Sequence, residues 1–486
     1  MRRGLRGFFG ALLIISTAAM LDSAQAQIKK ISADPFSNSS SQHATEVEPD
    51  TFAFGSTIVS VFQTGRIYDG GSSDIGFSTS TDGGSSWTHG FLPGITQFYK
   101  GGHYTAVSDP SVSFDAAHSM WVVASIAITD AQGVAVISSN SSDALHWNNP
   151  VIVNNNSGFT DKSWIACDNT PTSAYYGHCY VEFDDAYNGD QVRMSVSSDG
   201  GQTWSNAANV NNAFGLGGQP VVQPNGTVVV PFEGSGIEAF TSTNGGRTWG
   251  SPVTVGNISD HGVNGGLRTS PLPSAEVDSA GTVYVVWQDC RFRSGCSAND
   301  IVMSTSADGR NWTAVSRIPI DATNSGIDHF IPGIAVDPAT AGSTAHLGLT
   351  YYFYPVSNCS SSSCKLAVGF ISSQDGGTTW SAAQKIAGPM KLSWLASTSQ
   401  GVMVGDYIST SYVNGKGFGV FAKALQPSSK FDQAMYTPAL GFMHEVSGPT
   451  FSSAGDKPIP GAHSDHPPMK YYDLDGHVPI PPSKRK

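Results

Sequence analysis

At 486 residues the chain is long enough for two or three ordinary domains, and its formal charge of −12 disfavours nucleic acid and anionic membranes as partners. Only 13% of residues are charged, Gly numbers 54, and Ser, Thr, Trp and Tyr are frequent. That composition fits an all-β extracellular protein with many tight turns.

The first residues read as an export signal. Arg2, Arg3 and Arg6 precede a mostly apolar run over residues 8–21, and Ala24-Gln25-Ala26 supplies small residues for cleavage after Ala26. The run is too short for a membrane anchor, which needs about 20 residues. Removing residues 1–26 takes away Arg2, Arg3, Arg6 and Asp22 and moves the formal charge from −12 to −14. The expectation is a soluble, monomeric protein, secreted or periplasmic, without membrane insertion. The six cysteines fall into close pairs, Cys167/Cys179, Cys290/Cys296 and Cys359/Cys364, which in an oxidising compartment favours three local disulfides over a zinc site.

One pattern recurs through the chain. It reads Ser80-Thr81-Asp82-Gly83-Gly84-Ser85-Ser86-Trp87 and returns at Ser197–Trp204, at Ser242–Trp249 with Asn244 for the acid, and at Ser373–Trp380. Shortened copies end at Trp147 and Trp312. An Asp or Asn side chain accepts from nearby backbone N–H groups, Gly takes the positive φ, and Trp packs between neighbouring sheets. The six tryptophans recur at propeller-blade spacing. These residues resemble the Asp box, the bacterial neuraminidase repeat of sialidases and related secreted propellers. The resemblance spans about 30 to 440 and implies an all-β β-propeller in which the boxes are turn staples at the end opposite any active site.

Between the boxes short strands alternate, with second strands such as 120–128, 181–184, 227–232 and 282–287. Four strands per unit make a blade. Six boxes suggest the six blades of sialidases. Stretches 403–413, 418–424 and 431–437 read as three more strands without a box, and a strand near 28–31 would complete that sheet and close the ring. Seven blades are favoured over six. The propeller is expected over 27–440, and the Pro-rich segment 441–486 as a disordered or surface-lying tail.

Chemistry is expected at the mouth where first strands begin and second strands end. The starts of first strands supply Glu46, Glu48, Asp109, Asp161, Lys162, Trp164, Gln219, Arg268, Asp328, His329, Asp406 and Tyr407. The ends of second strands add Arg66, Tyr68, Asp69, Asp184, Asp185, Glu233, Asp289, Arg291 and Arg293. The sialidase resemblance implies three arginines clamping a substrate carboxylate, an Asp acid/base and a Tyr nucleophile paired with Glu. Leu267-Arg268-Thr269-Ser270-Pro271 is similar to that family's Phe/Tyr-Arg-Ile-Pro motif, although it stands in the fifth unit, and the first unit carries Glu46-Val47-Glu48-Pro49 instead.

The catalytic candidates are therefore Arg66, Arg268, Asp289, Arg291, Asp406 and Tyr407, with Asp109, Asp161, Trp164, Glu233, Asp328 and His329 against substrate. Paired carboxylates suit glycoside hydrolysis. A non-catalytic propeller binding glycan or protein is the rival, with aromatic faces for sugar and an acidic mouth able to take Ca²⁺. No cofactor is required by either reading, and the expected partner is a glycan or glycoprotein.

Overall fold

The structure is a computed structural model, and it describes residues 27–460 apart from 131, 156, 157, 361 and 444–448. The segment expected as an export signal and the far end of the Pro-rich tail lie outside the described residues. Strands dominate, and the helices among the described residues are single 3₁₀ turns of three residues.

Local bonding in the repeated turn explains why each unit closes where it does. Ser80 Oγ donates to Asp82 Oδ1 at 2.8 Å and accepts from Gly84 N at 2.8 Å. Asp82 in turn accepts from Ser86 N at 2.8 Å and from Ser86 Oγ at 2.6 Å. The same bonds recur at Ser197/Asp199/Thr203 and Ser373/Asp375/Thr379; Asn244 accepts in the same way from Ser242 Oγ and Thr248 N, but its amide donates to Thr248 Oγ1. The second glycine must be small because the preceding unit touches it: a Cβ on Gly201 would sit 2.8 Å from Val122, and one on Gly377 would sit 2.5 Å from Met303. Gly84 of the first unit meets Phe418 of the last in the same way.

The strands run in chain order as four-stranded antiparallel units. The first comprises Glu46–Phe54, Thr57–Arg66, Ser72–Ser80 and Thr88–Phe91, and it joins the second, Ala106–Asp115 to Val151–Asn154, through the single pair Ser72↔Val107. Units then begin at Thr160–Cys167, Val221–Val222, Ser274–Val277 and His329–Val336. The last contains Ser409–Val413, Lys416–Ala424 and Gln433–Pro438, and its outer strand comes from the other end of the chain. There Ile28–Lys30 pairs antiparallel with Gln433–Pro438, Lys29 opposite Thr437.

First strands are tied to one another by side chain–backbone bonds. Val112 N donates to Asp50 Oδ2 at 2.8 Å, Ile165 N to Ser111 Oγ at 3.0 Å, and Ile334 N to Ser274 Oγ at 3.2 Å. Thr410 Oγ1 donates to Gly333 O at 2.8 Å, and Ser409 Oγ to Thr51 O at 3.2 Å, which links the last first strand to the opening one. Apolar clusters fill the spaces between neighbouring units, for example Trp287 with Val229, Val255 and Val302.

The stretch expected as one strand over 403–413 is broken. Gly401–Met403 pairs with Ala396–Thr398, and the next strand starts only at Ser409. The cause is Gly405, at φ +143°, whose missing side chain lets the backbone of Glu48 approach to 2.8 Å of where a Cβ would stand. Beyond the last strands, residues 449–460 lie against the fifth and sixth units. Phe451 exchanges backbone bonds with Trp380 at 2.8 Å, Asp456 accepts from Arg317 Nε at 2.8 Å, and Ile459 N donates to Arg291 O at 2.8 Å.

Candidate functional site

Four of the first strands carry a β-bulge at the same place. The register slips between Val47 and Asp50, Ser108 and Ser111, Asp161 and Trp164, and Phe330 and Gly333. Each slip holds a non-glycine residue at positive φ: Glu48 (+55°), Asp109 (+47°), Lys162 (+50°) and Ile331 (+50°). A bulge leaves one residue unpaired and re-aims its side chain. Here three of the four re-aimed side chains are charged, and they meet.

Lys162 is the centre of the group. Its Nζ lies 2.5 Å from Asp406 Oδ2, 3.2 Å from Asp109 Oδ1 and 3.6 Å from Glu48 Oε1, and all four side chains are buried. Asp406 follows the close-approach glycine, and its backbone N–H donates to Glu48 Oε1 at 3.2 Å. Gln63 Nε2 donates to Glu48 Oε2, and to Ser108 Oγ at 3.0 Å. Tyr407 donates to Pro110 O at 3.2 Å and packs edge-on against Trp164, with ring centroids 4.9 Å apart.

Arg268 reaches Asp406 from the connection between the fourth and fifth units. Leu267 bridges in parallel to Val402, Arg268 N donates to Val402 O at 2.9 Å, and Tyr354 OH donates to Asn264 O at 2.6 Å. Residues 263–268 thus lie against the sixth unit and the Ala396–Met403 hairpin, and Arg268 Nη2 is delivered onto Asp406 Oδ2. This explains how an arginine of the fifth unit serves an aspartate of the last.

The charges of the group divide it. The Arg268 and Lys162 cations hold the Asp406 carboxyl well below the usual carboxylate range despite burial. Burial, reinforced by the neighbouring Asp109 charge, pushes Asp161 up to about 8. Burial together with Asp260 and Asp406 raises Glu233 to about 8, and burial lifts Glu48 to about 7 against the pull of Lys162. Asp184, opposite Asp161 in the register, is driven well above its ordinary value by burial and then by Asp161. One aspartate is therefore held ionised in a group whose Asp161, Asp184 and Glu233 carboxyls are held protonated at neutral pH. Burial also pushes the Tyr407 phenol up, which keeps it neutral.

The other expected residues lie elsewhere or are engaged. Arg66 donates through Nη1 to Ile67 O at 2.7 Å and Gly71 O at 2.5 Å. Arg291 forks onto Asp289, Nε to Oδ1 at 2.8 Å and Nη2 to Oδ2 at 2.7 Å, in a loop closed by the Cys290–Cys296 disulfide. Burial and then the Arg268 charge push Arg66 down to about 10, so Arg66 and Arg268 share the field of Glu48, Asp406 and Asp109. Asp328 accepts from Asn299 N at 2.8 Å and lies 3.0 Å from His261 Nδ1. His329 stacks on Phe353 beside Asp300 and Asp321.

Those last three residues are the described side chains that converge closely enough to share a cation. They do not fit one. Arg293 donates to Asp300 through Nε at 2.9 Å and Nη2 at 2.5 Å, and to Asp321 at 2.6 Å, so a guanidinium already fills the place of the ion. The two other cysteine pairs, Cys167–Cys179 and Cys359–Cys364, are bonded as the spacing suggests.

Sequence reasoning placed Lys162 and Glu48 at the mouth but gave neither a role. The available signal was Glu48-Pro49, Asp109-Pro110 and Ile331-Pro332, three dipeptides at equivalent points of first strands. A proline lacks the N–H that a regular ladder needs, so it marks a bulge.

Repeated four-stranded units with a charged group on their first strands define an all-β repeat protein. Residues 125–332 match the model of the family described as BNR repeat-like domain. No curated protein matches the sequence. Solved structures similar to it include a protein of unknown function from Dyadobacter fermentans, at 14% identity and TM-score 0.45, covering 71% of this chain and 99% of that one. The NanB sialidase from Streptococcus pneumoniae gives 14% and 0.42 over 84% and 70%, and the intramolecular trans-sialidase from Ruminococcus gnavus 12% and 0.39 over 83% and 96%. Likeness at that level says nothing of activity here.

Proposed function

We propose that this chain is an exported, closed seven-bladed β-propeller that cleaves glycosidic bonds of uncharged sugars at the Asp406 group. The reading is carried by the split of charge around Lys162: Asp406, bound to it and to Arg268, is ionised, while Asp161 and Glu233 in the field of the same lysine are protonated. Glycoside hydrolysis needs that pair of states: a protonated carboxyl gives its proton to the leaving oxygen while an ionised one stabilises or attacks the anomeric centre. Asp161, Trp164 and Arg268 are only partly buried and form the accessible side of the group. The arginines that would clamp a sialic acid carboxylate are committed to Asp406, Asp289 and backbone carbonyls, which favours a neutral sugar.

Closure of the ring is supported by the bonds from Ser409 to Thr51, by Gly84 against Phe418 and by the N-terminal strand in the last sheet. Export is supported by three disulfides and by the Arg-led apolar segment ending at Ala26. No described helix is long and apolar enough to cross a membrane.

The test is sugar release from a panel of neutral and sialylated glycans by the purified mature chain. Neutral sugars should be released, and Asp406→Asn and Asp161→Asn should each lower the rate at least about 100-fold. Release of sialic acid would overturn the substrate assignment. A second reading, non-catalytic glycan binding, is favoured by one feature: the side chain of Asp406 has no exposed surface beneath Arg268. Glycan binding with no release from any substrate would establish it and dismiss the hydrolase.

A further inference from the structure

A second feature lies at the seam between the sixth and last units. A groove of roughly 370 Å³ is lined by Ile28, Gly388, Pro389, Trp394, Lys423 and Leu425, a size within the range of small-ligand clefts. Its end nearest residues 263–268 is the turn Leu392–Trp394, on which Gly265 packs, so the groove borders the segment that carries Arg268.

Lysines stand at and beside this seam. Lys365 and Lys391 stand directly opposite each other on paired strands, both exposed. Like charges in that position repel. Neither forms an ion pair among the described residues. Lys391 Nζ sits 5.9 Å from the centroid of the partly buried Trp394 ring. On the groove wall, Lys423 Nζ lies 4.7 Å over Tyr436. In a chain of net charge −12, Lys391 beside Trp394 and Lys423 on the groove wall place positive potential at this seam, where the rest of the molecule opposes it.

We propose that this groove binds an anionic sugar residue, its ring stacked on Trp394 and its carboxylate or sulfate between Lys391 and Lys423. An indole beside ammonium groups suits such a ligand: the ring offers an apolar face to sugar C–H groups, and the lysines act as flexible point charges for the anion. The site is separate from the Asp406 group and does not rest on the hydrolase reading.

Titration calorimetry on the full mature chain tests it, with a galacturonate trisaccharide, a sulfated disaccharide and neutral maltotriose as probes. At least one anionic probe should bind and maltotriose should not, and the stronger of the two anions identifies carboxylate or sulfate as the recognised group. Raising the salt should weaken binding. Lys391→Gln with Lys423→Gln should reduce affinity at least about tenfold while leaving the thermal melt unchanged, since both side chains reach solvent. Trp394→Phe, which keeps a ring, should weaken binding less than the lysine pair. Equal binding of maltotriose, no binding of either anion, or full affinity in the double lysine variant would each overturn the proposal. Sugar release at the Asp406 group, read separately, should be the same in the double variant and the parent chain.

Discussion

Lys162 bears on three carboxylates at once, and a buried cation in that position is neutralised only because Asp406, Asp109 and Glu48 are all within 3.6 Å. Replacing it by Met would leave those acids buried with Arg268 on Asp406 and Arg66 acting from farther off. Breaking such a group by removing one partner costs about 3–5 kcal/mol. Lys162→Met should therefore lower the urea midpoint strongly at neutral pH, and less at about pH 5, where the stranded carboxyls take up protons. A loss of the same size at both pH values would show that Lys162 acts through packing and not charge. The acids and Arg268 were legible in the sequence because charged residues at the starts of first strands are conspicuous in a chain only 13% charged. The hub was not, because its role depends on Asp406, which is 244 positions away. Arg291 misled for the opposite reason: its partner Asp289 is two residues off, and local pairing satisfied a side chain expected to face substrate.

At the scale of elements, what was legible divides by range. The repeated turn is written within eight residues, and every bond that closes it joins positions at most four apart. Pattern alone could find it. The bulges and the break at Gly405 are set by contact with another strand, so alternation of residue types gave no sign of them, and 403–413 read as continuous. The two kinds of element should respond differently to substitution. Asp375→Ala removes acceptors for Thr379 N and Thr379 Oγ1 at a partly exposed turn, and losing a cap of this sort costs about 1 kcal/mol. Trp380→Ala empties a buried site between the fifth and sixth units and should cost about 3–5 kcal/mol. Neither should alter sugar binding or release, because both lie in the staple and not at the Asp406 group. A change in substrate turnover at unchanged fold in Asp375→Ala would place the turns in the functional surface after all.

Across the whole molecule, the acids fall into two populations with opposite consequences for stability. In the interior, burial raises Glu46, Glu276, Asp161 and Glu233 to about 8 and Asp50 and Asp260 to about 7. In the repeated turns, Asp82 is lowered to about 2 by its bonds to Ser86 and Ser80, and Asp199 and Asp375 also fall below the ordinary range, where hydrogen bonds to Thr203 and Thr379 outweigh burial. A carboxyl with a raised folded pKa is protonated in the folded chain and ionised in the unfolded one between about pH 4 and its folded value, so folding takes up a proton there. Its stabilising contribution is complete below about pH 4 and is lost as pH rises toward 8, at roughly 1.4 kcal/mol per pH unit for each proton taken up. The turn acids work the other way: their contribution is present above about pH 4 and disappears only as pH falls through their lowered values. The interior population spans the wider pH range, so the melting temperature should be highest near about pH 4–5 and fall steadily from about pH 5.5 to about pH 8.5. Calorimetric scans in buffers of matched ionic strength measure this directly. A melting temperature that is flat or rises across that interval would mean that the interior carboxyls fold as charged groups, and that Asp161 and Glu233 are not the proton donors assigned to them.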